Sequence, residues 1–243
     1  EIRPRDWSSD VCSSDLSARE VDQVQSLTKK LRQLGQSTDV PRLFGFLTAW
    51  QAIGPFDNAG GAGFDTVFPP EKEINLTAEY PGKSGKVRWQ NVISTNEYGI
   101  VDLNKPLGKQ KGVTGYAFTE FVSDTARPAE LRLGCKNAWK VWLNGKLLFS
   151  RDEYHRGMQI DQYRMPVQLQ AGRNTILVKA CQNEQVESWT VEWEFQLRVC
   201  DKLGTALRRL GDEPTGLRKV GLHVTRARHL DGCSLHRCAT PGR

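Results

Sequence analysis

Asn144-Gly145 lies between two short apolar runs, Val141-Trp142-Leu143 and Leu147-Leu148-Phe149, and nothing else in the chain narrows its fold as sharply. A two-residue hairpin loop of type I′ needs positive φ at both central residues, a region that Asn and Gly enter at least cost. The pair therefore predicts a tight β-hairpin. Downstream, Tyr163, Met165, Val167 and Leu169 alternate with polar residues and Pro166, and Ala171-Gly172-Arg173-Asn174 turns the chain into a further run, Thr175 to Ala180. Trp189, Val191, Trp193, Phe195, Leu197 and Val199 then share one phase, with Thr190, Glu192, Glu194, Gln196 and Arg198 on the other. A period of two predicts a last strand with one buried and one wet face.

The segments before the hairpin continue this pattern. Residues 43–53, 88–93, 98–103, 116–122 and 130–135 carry short apolar runs separated by turn residues. No helical period appears among them. The expected class is mainly β, an antiparallel jelly-roll β-sandwich over residues 43–201. Pro41 is expected to end any helix before it. Gly54 to Gly82 reads as a long loop rich in Gly and Pro, without a phosphate-binding pattern.

Residues 17–38 differ. Val21, Val24, Leu27, Leu31 and Leu34 recur at helical steps, Lys29, Lys30 and Arg32 fall near the end, and Gly35 follows. This predicts an amphipathic helix with favourable C-terminal charge and a glycine stop. Because the chain begins at Glu1 rather than Met, the helix is read as the end of a preceding helical domain; a partner-binding helix is the alternative. Residues 1–16 are set aside, since Asp6 to Leu16 resembles one reading frame of a sequencing-library adapter. Alternation stops at Asp201, and 202–243 read as a disordered or frameshifted tail. His229, Cys233, His236 and Cys238 are zinc-ligand types there, but lie too close together to fold around a metal.

The net charge of +6 does not mark a nucleic-acid binder, because residues 201–243 carry nine basic and four acidic groups of the total. The preceding 200 residues hold 25 basic against 24 acidic groups, so they offer no obvious basic face. No apolar run approaches the roughly 20 residues of a membrane span. Cys135, Cys181 and Cys200, the cysteines of the β region, form no C-x-x-C and read as buried free thiols. His155 is the one histidine of that region, and neither G-x-S-x-G nor H-E-x-x-H occurs, so no catalytic constellation is expected.

The aromatics carry the functional expectation. Trp189 and Trp193 fall on the buried phase of the last strand. Trp142 is out of phase with Val141 and Leu143, on the opposite face with Lys140. It is either an exposed platform for a sugar ring or covered by a loop or neighbouring domain. Residues 150–157 follow with Tyr154, His155 and Arg156. Trp142, Tyr154, His155 and Arg156 are thus the candidate ligand-binding residues, joining ring stacking to directional hydrogen bonds. Asp57, Asn58 and Asp65, around Gly60, Gly61 and Gly63, are candidate ligands of a structural calcium. The alternative is that these glycines turn the chain and the acids cap it.

The order Ile53-Gly-Pro-Phe-Asp57, Gly63-Phe-Asp65, Phe68-Pro-Pro-Glu71, Val141-Trp-Leu-Asn-Gly-Lys146, Leu169-x-Ala-Gly-x-Asn174, Ile176-Leu-Val-Lys179 and Trp193-x-Phe195-x-Leu-Arg198 resembles galactose-binding-domain-like jelly rolls. The resemblance covers about residues 43–201. It implies an accessory module of large bacterial secreted or envelope proteins, attached to glycoside hydrolases or helical-repeat segments. A secreted, periplasmic or envelope location follows from it. It rests on strand and turn chemistry and transfers no ligand residue. The expected function is noncatalytic carbohydrate binding, with a polysaccharide as partner. The alternative is a structural module packing against neighbouring domains of the same protein. An exposed aromatic platform favours the first; an apolar patch joining Trp142 to the helix stripe favours the second.

Overall fold

A computed structural model describes residues 18–36 and 38–210; the adapter-like segment 1–16 and the zinc-type residues at 229–238 lie outside them. Helices α1 (Ala18–Gln33) and α2 (Val40–Phe44) precede β1 (Ala49–Asp57). A one-turn α3 (Pro69–Lys72), β2 (Glu79–Gly82), β3 (Gly85–Arg88), β4 (Gln90–Ile93), β5 (Val101–Asp102) and α4 (Asn104–Leu107) follow. The remaining strands are β6 (Val113–Ser123), β7 (Arg127–Cys135), β8 (Ala138–Leu143), β9 (Lys146–Arg151), β10 (Tyr163–Leu169), β11 (Gly172–Gln182) and β12 (Glu194–Cys200).

These strands form an antiparallel β-sandwich. One sheet has six strands in the order β4-β1-β6-β11-β8-β9, the other four in the order β10-β7-β12-β5, and β2-β3 form a separate hairpin. From β6 onward the chain passes back and forth between the two sheets. The β8-β9 turn is as expected, with Asn144 at φ 51° and Gly145 at φ 76°. Pro166 sits on β10, an edge strand, where its missing N–H breaks no ladder. The core between the sheets gathers Trp50, Phe121, Trp139, Val178, Leu131, Leu133, Trp193, Phe195 and Leu197. Trp50 meets Phe195 edge to face at 5.1 Å across the gap.

Local structure differs from expectation at three places. Pro41 lies in the first turn of α2, where a missing N–H is harmless, and Asp39 caps that turn through Arg42 N at 3.1 Å. The first long strand consequently begins at Ala49. Residues 54–82 are not one loop, since they contain α3 and the first strand of the β2-β3 hairpin. The last strand begins at Glu194; Trp189 lies before it, in a 3₁₀ turn spanning Ser188–Thr190.

Both outer faces of the sandwich are also covered, which alternation does not reveal. On the six-stranded sheet, Ile53, Phe56, Tyr116, Phe118, Trp142 and Leu177 pack under Phe68, Ile74 and Tyr80. A buried lysine pins this cover: Lys179 Nζ donates to Phe64 O (2.9 Å), Thr66 O (2.8 Å) and Glu71 Oε1 (2.8 Å). Tyr116 donates to the same carboxylate; burial and that neighbour push its hydroxyl far above the ordinary value. On the four-stranded sheet the wet face expected of β12 is instead buried. Arg198 Nε donates to Asp161 Oδ1 (2.6 Å) and Arg132 Nη1 to Asp161 Oδ2 (2.7 Å). Arg198 also reaches Gly204 O (2.9 Å), tying residues 201–206 to the sheet.

Helix α1 ends as predicted, with Gly35 at φ 73° and Gln36 N donating to Leu31 O at 2.9 Å. It docks by one shoulder of its apolar stripe: Val24 packs beside Val40, Phe46 and Tyr98. Thr28 is buried and Arg32 pairs with Glu97, while Leu27, Leu31 and Leu34 remain exposed.

Candidate functional site

The structure separates the residues that the sequence placed together. Trp142 does lie on the face opposite Val141 and Leu143, but it is only 7% exposed, beneath the cover of the six-stranded sheet. Its strand partner is Leu147, near the turn end of the β8-β9 hairpin. Tyr154 packs instead with Phe64, Ala138 and Cys181, at the end where β8 begins. Four residues of extended strand, roughly 13 Å, separate the two positions along β8. Trp142 therefore does not share a surface with residues 154–156, and it forms no apolar patch with α1, which belongs to a different cluster.

The exposed aromatic at this end of the sandwich is Trp189, 59% exposed. Its turn is anchored from within. Buried Thr190 Oγ1 lies 2.8 Å from both Gln185 O and Glu187 O, which share its one hydroxyl proton. Gln182 Nε2 (2.8 Å) and Lys111 Nζ (2.7 Å) both donate to Thr190 O. Desolvation lowers the Lys111 pKa, against the attraction of Glu187. Trp189 is thus presented on a turn whose neighbour is fully held.

His155 stands edge to face with the Trp189 ring, centroids 5.5 Å apart at 88°. Its Nε2 contacts Asn183 Oδ1 at 2.6 Å, and its backbone is left-handed at φ 56°. Tyr154 lies 6.1 Å from the His155 ring, and its hydroxyl accepts from Asn58 Nδ2 at 3.1 Å. Burial, partly offset by that Asn58 contact, pushes the Tyr154 hydroxyl up to about 12, so it remains a donor throughout neutral pH. Arg156 is exposed and pairs with Glu153 at 3.4 Å. Three of the four expected residues therefore stand at one loop rim, joined by Trp189 and Asn183, which sequence reasoning missed. Alternation carried Trp189 into the last strand; the polar run Asn183-Glu184-Gln185 and the flanking Ser188 and Thr190 were the signal of a turn there.

The calcium candidates have other partners. Asp57 pairs with Lys83 at 3.2 Å and Asp65 with Lys140 at 3.1 Å. Asn58 is fully buried and donates to Gln182 O (3.0 Å) as well as Tyr154. A Cβ on Gly63 would meet Asp57 O at 2.4 Å, Asn58 Oδ1 at 2.7 Å and Thr114 Oγ1 at 2.7 Å. Those oxygens therefore crowd the Gly63 Cα, which only a glycine could place there. Among the described residues no group of three or more His, Cys, Asp or Glu side chains is arranged to hold a metal. Cys135, Cys181 and Cys200 are free and buried. Desolvation pushes their thiols up to about 12, 11 and 11 respectively, so they are poor nucleophiles at neutral pH.

Fold and rim together define an antiparallel β-sandwich with an aromatic loop surface at one end. Comparison with known protein families and with curated proteins gives no match. Among solved structures, a family 35 carbohydrate-binding module from an environmental isolate is similar at 14% identity and TM-score 0.31, over 65% of this chain and 88% of that one. A family 35 module from Clostridium thermocellum is similar at 14% identity and TM-score 0.28, over 36% of this chain and 71% of that one. A β-glucosidase from Kluyveromyces marxianus shares 12% identity at TM-score 0.30, over 37% of this chain, which spans 11% of that enzyme. Similarity this distant carries neither ligand nor site over to the present chain.

Proposed function

We propose that the chain is a noncatalytic carbohydrate-binding module that holds a neutral or weakly charged polysaccharide at the Trp189–His155 rim. The observation that carries this reading is the exposed Trp189 on an internally anchored turn. A sugar ring offers an apolar face and a rim of hydroxyls. Trp189 supplies the stacking surface, while Tyr154, His155, Asn183 and Arg156 supply hydrogen-bonding groups beside it. The nearly balanced charge of residues 1–200 suits an uncharged polymer. Holding Trp189 in place before the ligand arrives removes an ordering cost from binding.

Affinity gel electrophoresis through soluble xylan, mannan, β-glucan and galactan tests the reading. Wild type is expected to be retarded by at least one polymer, and Trp189→Ala to lose roughly tenfold in affinity, the usual scale for an anchoring aromatic. His155→Ala should weaken retardation less. No retardation of wild type, or equal retardation of all three proteins, overturns the reading.

A further inference from the structure

The two sheets of the sandwich end on β4, β9, β10 and β5. β4 has four residues and β5 two, while β10 carries Pro166, which takes a donor from its open side. β9 is both long and uninterrupted, six residues from Lys146 to Arg151. Among the described residues its backbone bonds to β8 alone. Its outer row of N–H and C=O groups is therefore open to a further strand.

The side chains of this edge are equally uncovered. Leu147 is 46% exposed and Phe149 40%. The register with β8 shifts between Val141 and Trp142, so Leu148 is an extra, bulged residue. Lys146 then stands opposite Leu143, Phe149 opposite Val141 and Arg151 opposite Trp139. Those three partners belong to the core between the sheets, so Lys146, Phe149 and Arg151 share the inner face of the edge. Phe149 leans on the Trp139 ring at 5.8 Å. The Arg151 guanidinium lies 5.5 Å from the Phe149 ring and 5.9 Å from that of Tyr163, on β10.

Charge selects what can add here. Neighbouring carboxylates are engaged elsewhere: Glu153 pairs with Arg156 at 3.4 Å, and Asp65 with Lys140 at 3.1 Å. Asp152 bears on Tyr154 and Cys181, raising the pKa of each. Lys146 and Arg151 are left as cations at the two ends of one apolar strand. A second, antiparallel copy of β9 would set Lys146 of each chain across from Arg151 of the other, like charges at both ends. The edge thus discourages its own kind and favours an acidic segment. A free backbone row also calls for a peptide rather than a sugar, since only a strand supplies donors and acceptors at the matching spacing.

We propose that β9 is a docking edge for an extended segment of a partner protein, which adds a seventh strand to the six-stranded sheet. Its recognition pattern is a central apolar residue against Phe149 with an acid two residues to either side, against Lys146 and Arg151, the bulged Leu148 needing no partner of its own. This edge stands apart from the carbohydrate reading of the Trp189 rim and uses none of its residues.

The probe is a seven-residue peptide, acetylated and amidated, with glutamate at its second and sixth positions, phenylalanine at the fourth, valine at the third and threonine elsewhere. Titrated into isotope-labelled protein, it is expected to shift the amide resonances of residues 146–151. Lys146→Glu and Arg151→Glu, both at exposed positions, should each bind it about fivefold more weakly with an unchanged circular dichroism spectrum. A probe with lysines in place of its glutamates should reverse that order and prefer the variants. N-methylation of one alternate set of probe residues should abolish binding and of the other set should not, because only one set of N–H groups faces β9. No shift at millimolar probe, shifts confined to other strands, or equal binding by the charge-reversed variants overturns the proposal. So does a wild-type dimer in sedimentation equilibrium that Arg151→Glu tightens, which assigns the edge to a second copy.

Discussion

Asp161 provides the sharpest test of how the loop end is held. Its side chain is 3% exposed and accepts from two guanidiniums, Arg132 and Arg198, whose side chains are 0% and 1% exposed. Asp161→Asn keeps the shape but removes the charge. Arg198 is then left with backbone carbonyls alone, and Arg132 keeps only Glu130 as an ionic partner. Breaking a buried ion pair by removing one partner costs about 3–5 kcal/mol. Two cations lose one shared anion here, so the upper end, about 5 kcal/mol, is expected. The backbone is not responsible, because Asp161 sits at φ 59° and Asn tolerates that region equally well. With a urea dependence of about 2.5 kcal/mol per molar, the unfolding midpoint should fall by about 2 M. Arg198→Met added to Asp161→Asn removes one stranded charge, so the double variant should be more stable than Asp161→Asn alone. A loss below about 1 kcal/mol, or a double variant weaker by the full sum of the single changes, refutes the argument.

Other outcomes follow from the same geometry. Trp142→Ala should cost about 3–5 kcal/mol in urea unfolding, as a buried aromatic truncated beneath a cover. Cys135, Cys181 and Cys200 should resist iodoacetamide at pH 8.5 in the native protein and react once it is unfolded, read by mass spectrometry of the peptides. These thiols are raised to about 12, 11 and 11 from 9.0, so the stability they contribute is complete below pH 9 and is lost as pH rises toward 11–12. Tyr154 adds the same sign between pH 10 and about 12, and urea midpoints taken from pH 8 to 11 should therefore fall only above pH 9. Millimolar calcium should leave the thermal midpoint unshifted, since lysines hold Asp57 and Asp65; a rise of several degrees restores the calcium reading.

Local rules recovered the parts of the fold that local physics controls. Asn144-Gly145 set a turn because backbone sterics at two residues decide it. The alternation through Met165 and Leu169 was legible because β10 is an edge strand with one face toward the core. The last strand misled for a non-local reason: Arg198 looked like a solvent residue, yet its carboxylate partner comes from Asp161, 37 positions away. Trp189 continued an alternation that the chain itself abandons at the turn before Glu194. The α3 turn was readable in principle, from Pro69-Pro70-Glu71, a proline start with an acid in the first turn. Of the candidate site, Tyr154, His155 and Arg156 were legible as polar groups on a loop. Their joining to Trp189 rather than Trp142 depended on which loops meet at one end of two sheets.

Lys179 gives the cover over the six-stranded sheet an all-or-none character. One ammonium serves two carbonyls and a carboxylate drawn from residues 64–71. Lifting part of that segment takes one or more of three acceptors from a buried ammonium, so partial fraying is penalised and the segment is expected to open as a unit. The amides of this stretch should then exchange with solvent at a common rate.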